Sequence, residues 1–551
     1  MTGAAPGTAV AQPQQSTFDR VADRTAAVVL FVVAALAAAT FRDYGLGWDD
    51  YTHAQYGELL LAFYRSGFTD TRAFSFVNLY MYGGGFDMAA ALLAKILPID
   101  LFETRRLVGA TVGLIGLIVT WRLARRLGGA AAGLIALALL ATCPIFYGHM
   151  FMNAKDAPFA VAMTILIVGL VRGCEEYPRI APATAVIVAL GFGLSIGSRV
   201  LGVLGGIYAL VALVMMFALE AWTVGLRPAA KRLGRFVLVI IPVAVASYVI
   251  MGVVWPWSVL DPLNPFRALE YFSAFFEKPW RELFDGVALM VYDMPRTYLP
   301  TLLAFQLSEL MIVLALLGTA GALVAVIRGT FPPGRRASLC VVLLAAYLPI
   351  IITIIERPAL YNGIRHFLFL LPPLAVLGGL SGGWLLERAS KFGRAALAIC
   401  VAVLLAGFAS PVVEMVRLHP YQYTHYNYIA GGIQSADSRF MLDYWGLSFK
   451  AAAQELHAKL AERKATPPAG RPWKIAVCGP HPPAQVALGP DFAPTWDPKD
   501  ADFALMLGEF YCAQFDAPVL AEIAREGVVY ARVYDIRGRS VPGMFTLPPV
   551  R

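Results

Sequence analysis

Carboxylates and cations recur at the ends of apolar stretches in this 551-residue chain, in a pattern suited to group transfer. Trp48-Asp49-Asp50-Tyr51 is followed by His53, Glu58, Asp87 and Lys95, and the stretch from His149 to Pro158 packs Asn153, Lys155 and Asp156 into a short turn. Arg199 closes one apolar stretch; Arg357, Tyr361, Asn362, Arg365 and His366 precede another. A hydroxyl is a poor nucleophile near neutral pH, so a carboxylate placed against it must take its proton as a bond to an anomeric carbon forms. The leaving group, if a lipid phosphate, gathers negative charge that Lys, Arg, His or a metal ion stabilises. Asp49, Asp50 and Asp156 supply the acids for such a glycosyl transfer, and Lys155, Arg199, Arg365 and His366 supply the cationic pocket. Trp48, His53, Asn153, Asp87 and Tyr361 stand beside them as candidates to line the substrate. No metal-ligand spacing is present, and the default expectation is that no cofactor is required, with a divalent metal compatible.

Each residue also has a structural reading. Asp is favoured at helix starts, and Asp156 ahead of Ala157-Pro158 begins a helix well. Arg199 and Arg365 have the long stems that let a charge reach the membrane surface. What the structural readings leave unexplained is that all these groups share one side, and that follows from the elements that must position them.

The chain is 58% hydrophobic and 15% charged, with a mean hydropathy of +0.63, and a soluble protein of this size cannot present that to water. Apolar windows at 25–40, 107–121, 129–147, 158–171, 181–197, 200–219, 236–254, 302–327, 338–355, 367–386 and 395–413 predict roughly eleven membrane-spanning helices. Arg122, Arg125 and Arg126, then Arg227, Lys231, Arg232 and Arg235, then Arg335 and Arg336, then Arg388, Lys391 and Arg394 follow the even-numbered spans. The positive-inside rule makes those connections cytoplasmic, with the amino terminus inside and the carboxyl end outside. The same loops explain the net charge of +8 without nucleic acid. Residues 1–24 read as a disordered cytoplasmic tail, residues 25–413 as the membrane domain and 414–551 as an exterior domain. Tyr56, Leu59, Leu60 and Phe63 predict an amphipathic helix from Asp49, with a second at 88–96 and a third within 255–300. Trp255, Trp257, Phe272, Phe275, Phe276 and Trp280 in that last loop read as interfacial anchors.

With these elements in place the chain resembles the glycosyltransferase C superfamily, in particular bacterial relatives of protein O-mannosyltransferases and of lipid A aminoarabinose transferases. The resemblance rests on Trp48-Asp49-Asp50, on Asn153-Ala154-Lys155-Asp156-Ala157-Pro158, on Gly193-Leu194-Ser195-Ile196-Gly197-Ser198-Arg199, and on Arg365-His366-Phe367-Leu368-Phe369-Leu370-Leu371-Pro372-Pro373. His419-Pro420-Tyr421, Tyr426-Asn427, Gly431-Gly432 and Leu442-Asp443-Tyr444-Trp445-Gly446 also look like a stretch found after the last span of bacterial members. It implies a sugar donor on a polyprenyl phosphate, inverting transfer to an envelope lipid, glycan or protein, and a site at the exterior face of the inner membrane. Asp49 falls at the position of the general base, Asp50 beside it, Asp156 at the second-loop acid, and Arg365 at a residue for the carrier phosphate. Tyr82-Gly83-Gly84-Gly85-Phe86-Asp87 departs from relatives that carry His or Lys and two prolines there. A lipid-linked sugar flippase is the alternative from another class, set against by the scarcity of charge within the spans. A ligase or polymerase using a pyrophosphate carrier would share the architecture.

After Val413 the composition is that of a soluble domain. Ser448–Arg463 has helical spacing, and 474–478, 503–508 and 527–534 read as short strands, predicting a small periplasmic α/β domain without a nucleotide-binding loop. Cys478 and Cys512 are its two cysteines, a disulfide candidate in an oxidising compartment.

Overall fold

The computed structural model describes residues 17–273, 280–329 and 331–547. Among them nine helices are long and apolar enough to cross a membrane. One of the nine, Leu101–Ala141, is 41 residues long. It contains a left-handed glycine, Gly129 at φ 84°, where the chain folds back on itself. Gly133 then lies so close to Trp121 and Arg125 that a Cβ there would press on both. Counting this reversal, and the 17-residue apolar helix Pro182–Ser198, the architecture is the polytopic helical one read from the sequence.

Three boundaries differ, each for a local reason. The first helix is Thr17–Thr40, so the residues from Thr17 on that were read as tail are helical, and Asp23 is tied to Arg125 at 2.7 Å. The expected third span stops at Thr142, because Pro144 has no N–H to continue the ladder and starts a separate buried helix, Pro144–Met152. The expected eighth span is two helices, Tyr298–Gln306 and Glu309–Arg328, with the Ser308 hydroxyl accepting from the Met311 amide as a cap.

One side of the bundle carries the amphipathic pieces. Asp50–Arg65 buries Tyr56, Leu60 and Phe63; Gly85–Ala94 packs against it; and Asn264–Ser273 sets the Phe272 ring 4.2 Å from that of Tyr82. Further along the chain β1 (Arg281–Phe284) and β2 (Val287–Met290) pair as an antiparallel hairpin. Trp255 is not an anchor in the headgroups. It is 1% exposed and its indole N–H donates to the Tyr80 carbonyl at 2.8 Å. Phe275 and Phe276 lie outside the described residues. At the other side the basic connections meet: Arg126 and Arg335 both grip Glu175, at 2.6 and 3.0 Å.

The carboxyl-terminal part folds as a mixed sheet. Its strands are β3 (Trp473–Cys478), β4 (Phe492–Thr495), β5 (Phe503–Leu507), β6 (Val519–Arg525) and β7 (Val528–Asp535), ordered β4-β3-β5-β7-β6. β3 runs parallel to β4 and β5, and β7 antiparallel to β5 and β6. The helix Phe449–Glu462 packs on it, and Cys478 and Cys512 are disulfide-bonded. The buried Asp443 carboxylate accepts the amides of Gly446, Leu447 and Ser448 ahead of that helix, which sets the turn that leads into it. Burial pushes its pKa up to about 6, which those bonds only partly offset.

Candidate active site

A cavity of about 680 Å³ opens between the two parts of the molecule. Asp49, Lys155 and Arg365 border it from the membrane block, while Phe510, Tyr511, Phe545 and Leu547 border it from the carboxyl-terminal domain. Trp48, Tyr82, Trp280, Tyr361, Tyr444 and Trp445 complete an aromatic wall.

Asp49 owes its position to the residue after it. The Asp50 carboxylate accepts from the Gly47 amide at 2.8 Å and from both terminal nitrogens of Arg106 at 2.9 and 2.6 Å. That fixes the turn at the start of Asp50–Arg65, and the Trp48 amide adds a bond to the Trp445 carbonyl at 3.2 Å. Asp49 is thereby turned to the cavity, its carboxylate 3.0 Å from the Lys155 ammonium and 3.9 Å from Arg365. Burial works to raise its pKa, and the charges of Lys155, Arg365 and His53 more than offset it, holding the carboxyl well below its ordinary range.

The second acid is built by an Asx turn. The Asn153 side-chain oxygen accepts the amides of Lys155 and Asp156 at 3.1 and 2.8 Å, which starts the helix Asp156–Glu176 and sets two side chains at its mouth. The Asn153 amide group donates to Asp156 at 2.9 Å, and Arg199 pairs with Asp156 at 2.6 Å. Lys155 and Arg199 both approach the face of Tyr82, 5.1 and 5.7 Å from its centre. Tyr82 is held there because Gly83 touches the Gly197 carbonyl so closely that a Cβ would overlap it. Arg365 is clamped between the rings of Tyr361 and Trp445, at 4.7 and 4.6 Å. The turn before it is pinned by Glu282 of β1, which accepts the Asn362 amide at 2.7 Å. Burial pushes the Glu282 carboxyl up to about 8. His366 lies behind, its ring 4.7 Å from that of Tyr361.

Of the residues singled out from the sequence, Trp48, Asp49, His53, Lys155, Tyr361 and Arg365 border the cavity. Asn153, Asp156, Arg199 and His366 stand directly behind them. Asp50 and Asp87 do not reach it: Asp87 is 2% exposed and spans His53 at 2.6 Å and Arg105 at 2.7 Å. With its Nδ1 donating to Asp87, His53 keeps an unbonded Nε2 beside the cavity. Arg105 and Arg106 were missed as site residues. The signal was there: two adjacent arginines on the side that span counting makes exterior run against the positive-inside rule, and so call for buried partners. No group of three or more His, Cys, Asp or Glu among the described residues is arranged to hold a metal. The oxygens of Asp49 and Asp156 face cations.

The sequence family described as dolichyl-phosphate-mannose-protein mannosyltransferase matches residues 87–248, a stretch that includes Asn153, Lys155, Asp156 and Arg199. That match bears out the resemblance to the glycosyltransferase C superfamily. No curated protein matches the chain. Among solved structures, ArnT from Cupriavidus metallidurans in the apo state is 17% identical with a TM-score of 0.49, covering 94% of this chain and 97% of that one. The same protein bound to undecaprenyl phosphate is 15% identical with a TM-score of 0.47, covering 94% and 98%. The Archaeoglobus fulgidus oligosaccharyltransferase in the apo form is 12% identical with a TM-score of 0.49, covering 87% of this chain and 65% of that one.

Proposed function

We propose that this multi-pass membrane protein, similar over residues 87–248 to a mannosyltransferase family, transfers a sugar from a polyprenyl-phosphate donor to a hydroxyl acceptor, with inversion. The acceptor is an envelope lipid, glycan or protein at the exterior face of the inner membrane, where the carboxyl-terminal domain lies in the periplasm.

The observation that carries the reading is one carboxylate held between two cations in a ligand-sized cavity at the end of the spans. Lys155, Arg199 and Arg365 face Asp49 and Asp156, leaving one positive charge over. A sugar–phosphate–lipid diester carries one negative charge, which matches this balance better than a pyrophosphate does. The same cations that keep Asp49 ionised and weakly basic are those a carrier phosphate takes. Donor binding therefore draws Lys155 and Arg365 away from Asp49 and raises its basicity when a base is needed. Asp49 then accepts the acceptor's proton as its oxygen attacks the anomeric carbon, and the phosphate leaves against Lys155 and Arg365. Asp156 holds Arg199, Asp50 holds the turn, and His53 Nε2, unbonded beside the cavity, is free to bond a sugar hydroxyl. The aromatic wall packs on sugar faces.

The test is the lipid and glycan profile of cells lacking the protein, complemented with wild type or with Asp49→Asn. One glycosylated species should vanish in the deletion, return with wild type and stay absent with Asp49→Asn although that variant is inserted and folded. Full restoration by Asp49→Asn removes the mechanism, and lipid movement without any missing glycosidic product turns the reading to transport.

A further inference from the structure

A second polar pocket, of about 160 Å³, lies where the last span meets the exterior domain, lined by Glu309, Glu414, Arg417, His425 and Glu526 among others. Glu309 opens the helix Glu309–Arg328, Glu414 is in the last turn of Arg394–Arg417, and Glu526 is at the turn between β6 and β7. Three chain segments distant in sequence thus bring three carboxylates together. The cation among them, Arg417, is 52% exposed at the rim and stands 3.8 Å from Glu414 and 3.7 Å from Glu526.

His425 is the independent sign of a ligand. It is 2% exposed, lines this pocket, and neither ring nitrogen has a hydrogen-bond partner. An unbonded buried imidazole is costly. Three polar groups nearby are committed elsewhere: Asn427 donates to the carbonyls of Ala304 and Leu307, Ser308 caps its helix, and Tyr428 donates its amide to Glu309 at 2.8 Å. Burial holds His425 down to about 4, so its ring is neutral and offers an acceptor nitrogen.

The pocket therefore presents acceptors in excess and wants a compact donor. An ammonium supplies three N–H groups and one charge, and Arg417 at the rim suits an anion alongside. Tyr428, which lines the pocket, is 65% exposed, and Val416 and Ile429, next in the chain to the lining residues Arg417 and Tyr428, are 72% and 59% exposed, which is how a surface meets lipid at the headgroup level. We infer that this pocket binds the phosphoethanolamine headgroup of a membrane lipid, its ammonium among Glu309, Glu414, Glu526 and His425 and its phosphate at Arg417. The site lies apart from the Asp49 cavity, so it stands or falls independently of the glycosyl transfer.

The experiment uses the full-length protein in nanodiscs of phosphatidylethanolamine and phosphatidylcholine in equal amounts, with retained lipid counted by native mass spectrometry. A trimethylated ammonium has no N–H to donate, so the ethanolamine lipid should be retained about tenfold over the choline lipid. Glu526→Gln, at an exposed turn that leaves folding intact, should cut that preference severalfold, and His425→Gln likewise. Displacement of the retained lipid by soluble phosphoethanolamine supports recognition of the headgroup alone; no displacement places part of the recognition in the lipid's attachment to the bilayer. Equal retention of the two lipids, or a preference unchanged by Glu526→Gln, overturns the inference.

Discussion

Asp49 and Asp50 are neighbours in the chain, and their side chains end in opposite surroundings. The Asp50 side chain is 2% exposed, and Arg106 bonds to both its oxygens. The Asp49 side chain is 39% exposed and meets Lys155 at 3.0 Å at the edge of a cavity large enough for a ligand. The contrast extends outward. Asp87, Arg105 and His53 join Asp50 in a buried network in which both carboxylates are already paired, whereas Lys155 and Arg365 sit around Asp49 with capacity left for a substrate. Residue type and spacing are the same on both sides; unspent hydrogen-bonding capacity facing open volume separates a reacting group from a strut.

The largest effect that separates the two sides is expected from Asp49→Asn. Product formation should fall by about 10²–10⁴-fold, the usual contribution of a general base, with an unchanged melting temperature. If the same loss came with a lowered melting temperature, Asp49 would belong with the struts. Asp50→Ala should do the reverse, because it leaves the buried Arg106 guanidinium without its carboxylate. A cost of about 3–5 kcal/mol is expected, read as loss of monodisperse protein on fluorescence-detected gel filtration. Normal folding of Asp50→Ala would mean that Arg106 finds another partner.

A smaller effect sharpens the cavity side. Lys155→Ala should weaken binding of a polyprenyl-phosphate sugar about tenfold, measured by titration of the purified protein, while leaving thermal stability within a degree or two. The smallest concerns the hinge between the sides, Glu282. Its carboxyl, raised to about 8 by burial, stays protonated in the fold at neutral pH. The folded state then holds a proton that the unfolded chain releases above its ordinary value of 4.5. Stability should therefore fall as pH rises from about 5 to about 8 and level off beyond, a loss of a few degrees in melting temperature. Glu282→Gln should flatten that slope, and an equal slope in the variant would assign it to other groups.

The cavity's charged residues could be found in the sequence because they stand in short turns beside long apolar helices, where almost nothing else is charged. Asp49, Lys155 and Arg365 lie far apart in the chain, yet span counting places all three on one side. The struts were harder to recognise. Arg105 and Arg106 look like the polar flank of a span, and only the packing of Asp50–Arg65 against Leu101–Ala141 supplies Asp50 as a partner. The roof was illegible for a different reason. Phe510, Tyr511 and Phe545 follow no motif, and they reach the cavity through the docking of a separate domain whose contacts are all long-range. Likewise β4 contains a proline, Pro494, and β6 has its charges, Glu522 and Arg525, three residues apart rather than in strand alternation, which hid two strands that the sheet holds by pairing with β3 and β7.

The helix Asp156–Glu176 has 21 residues, a length of about 30 Å at 1.5 Å per residue and so close to the hydrocarbon thickness of a bilayer. One end is fixed by Asn153 and Arg199, and Glu175 at the other is gripped by Arg126 and Arg335. On the proposed topology the rod works as a depth gauge, setting the cavity's cations at the level where phosphate groups of the outer leaflet already lie. On the proposed reaction, a donor need not be lifted out of the membrane. It arrives by lateral diffusion in two dimensions with its tail still dissolved in lipid, and the encounter rate is governed by its surface density and by bilayer thickness rather than by any concentration in water.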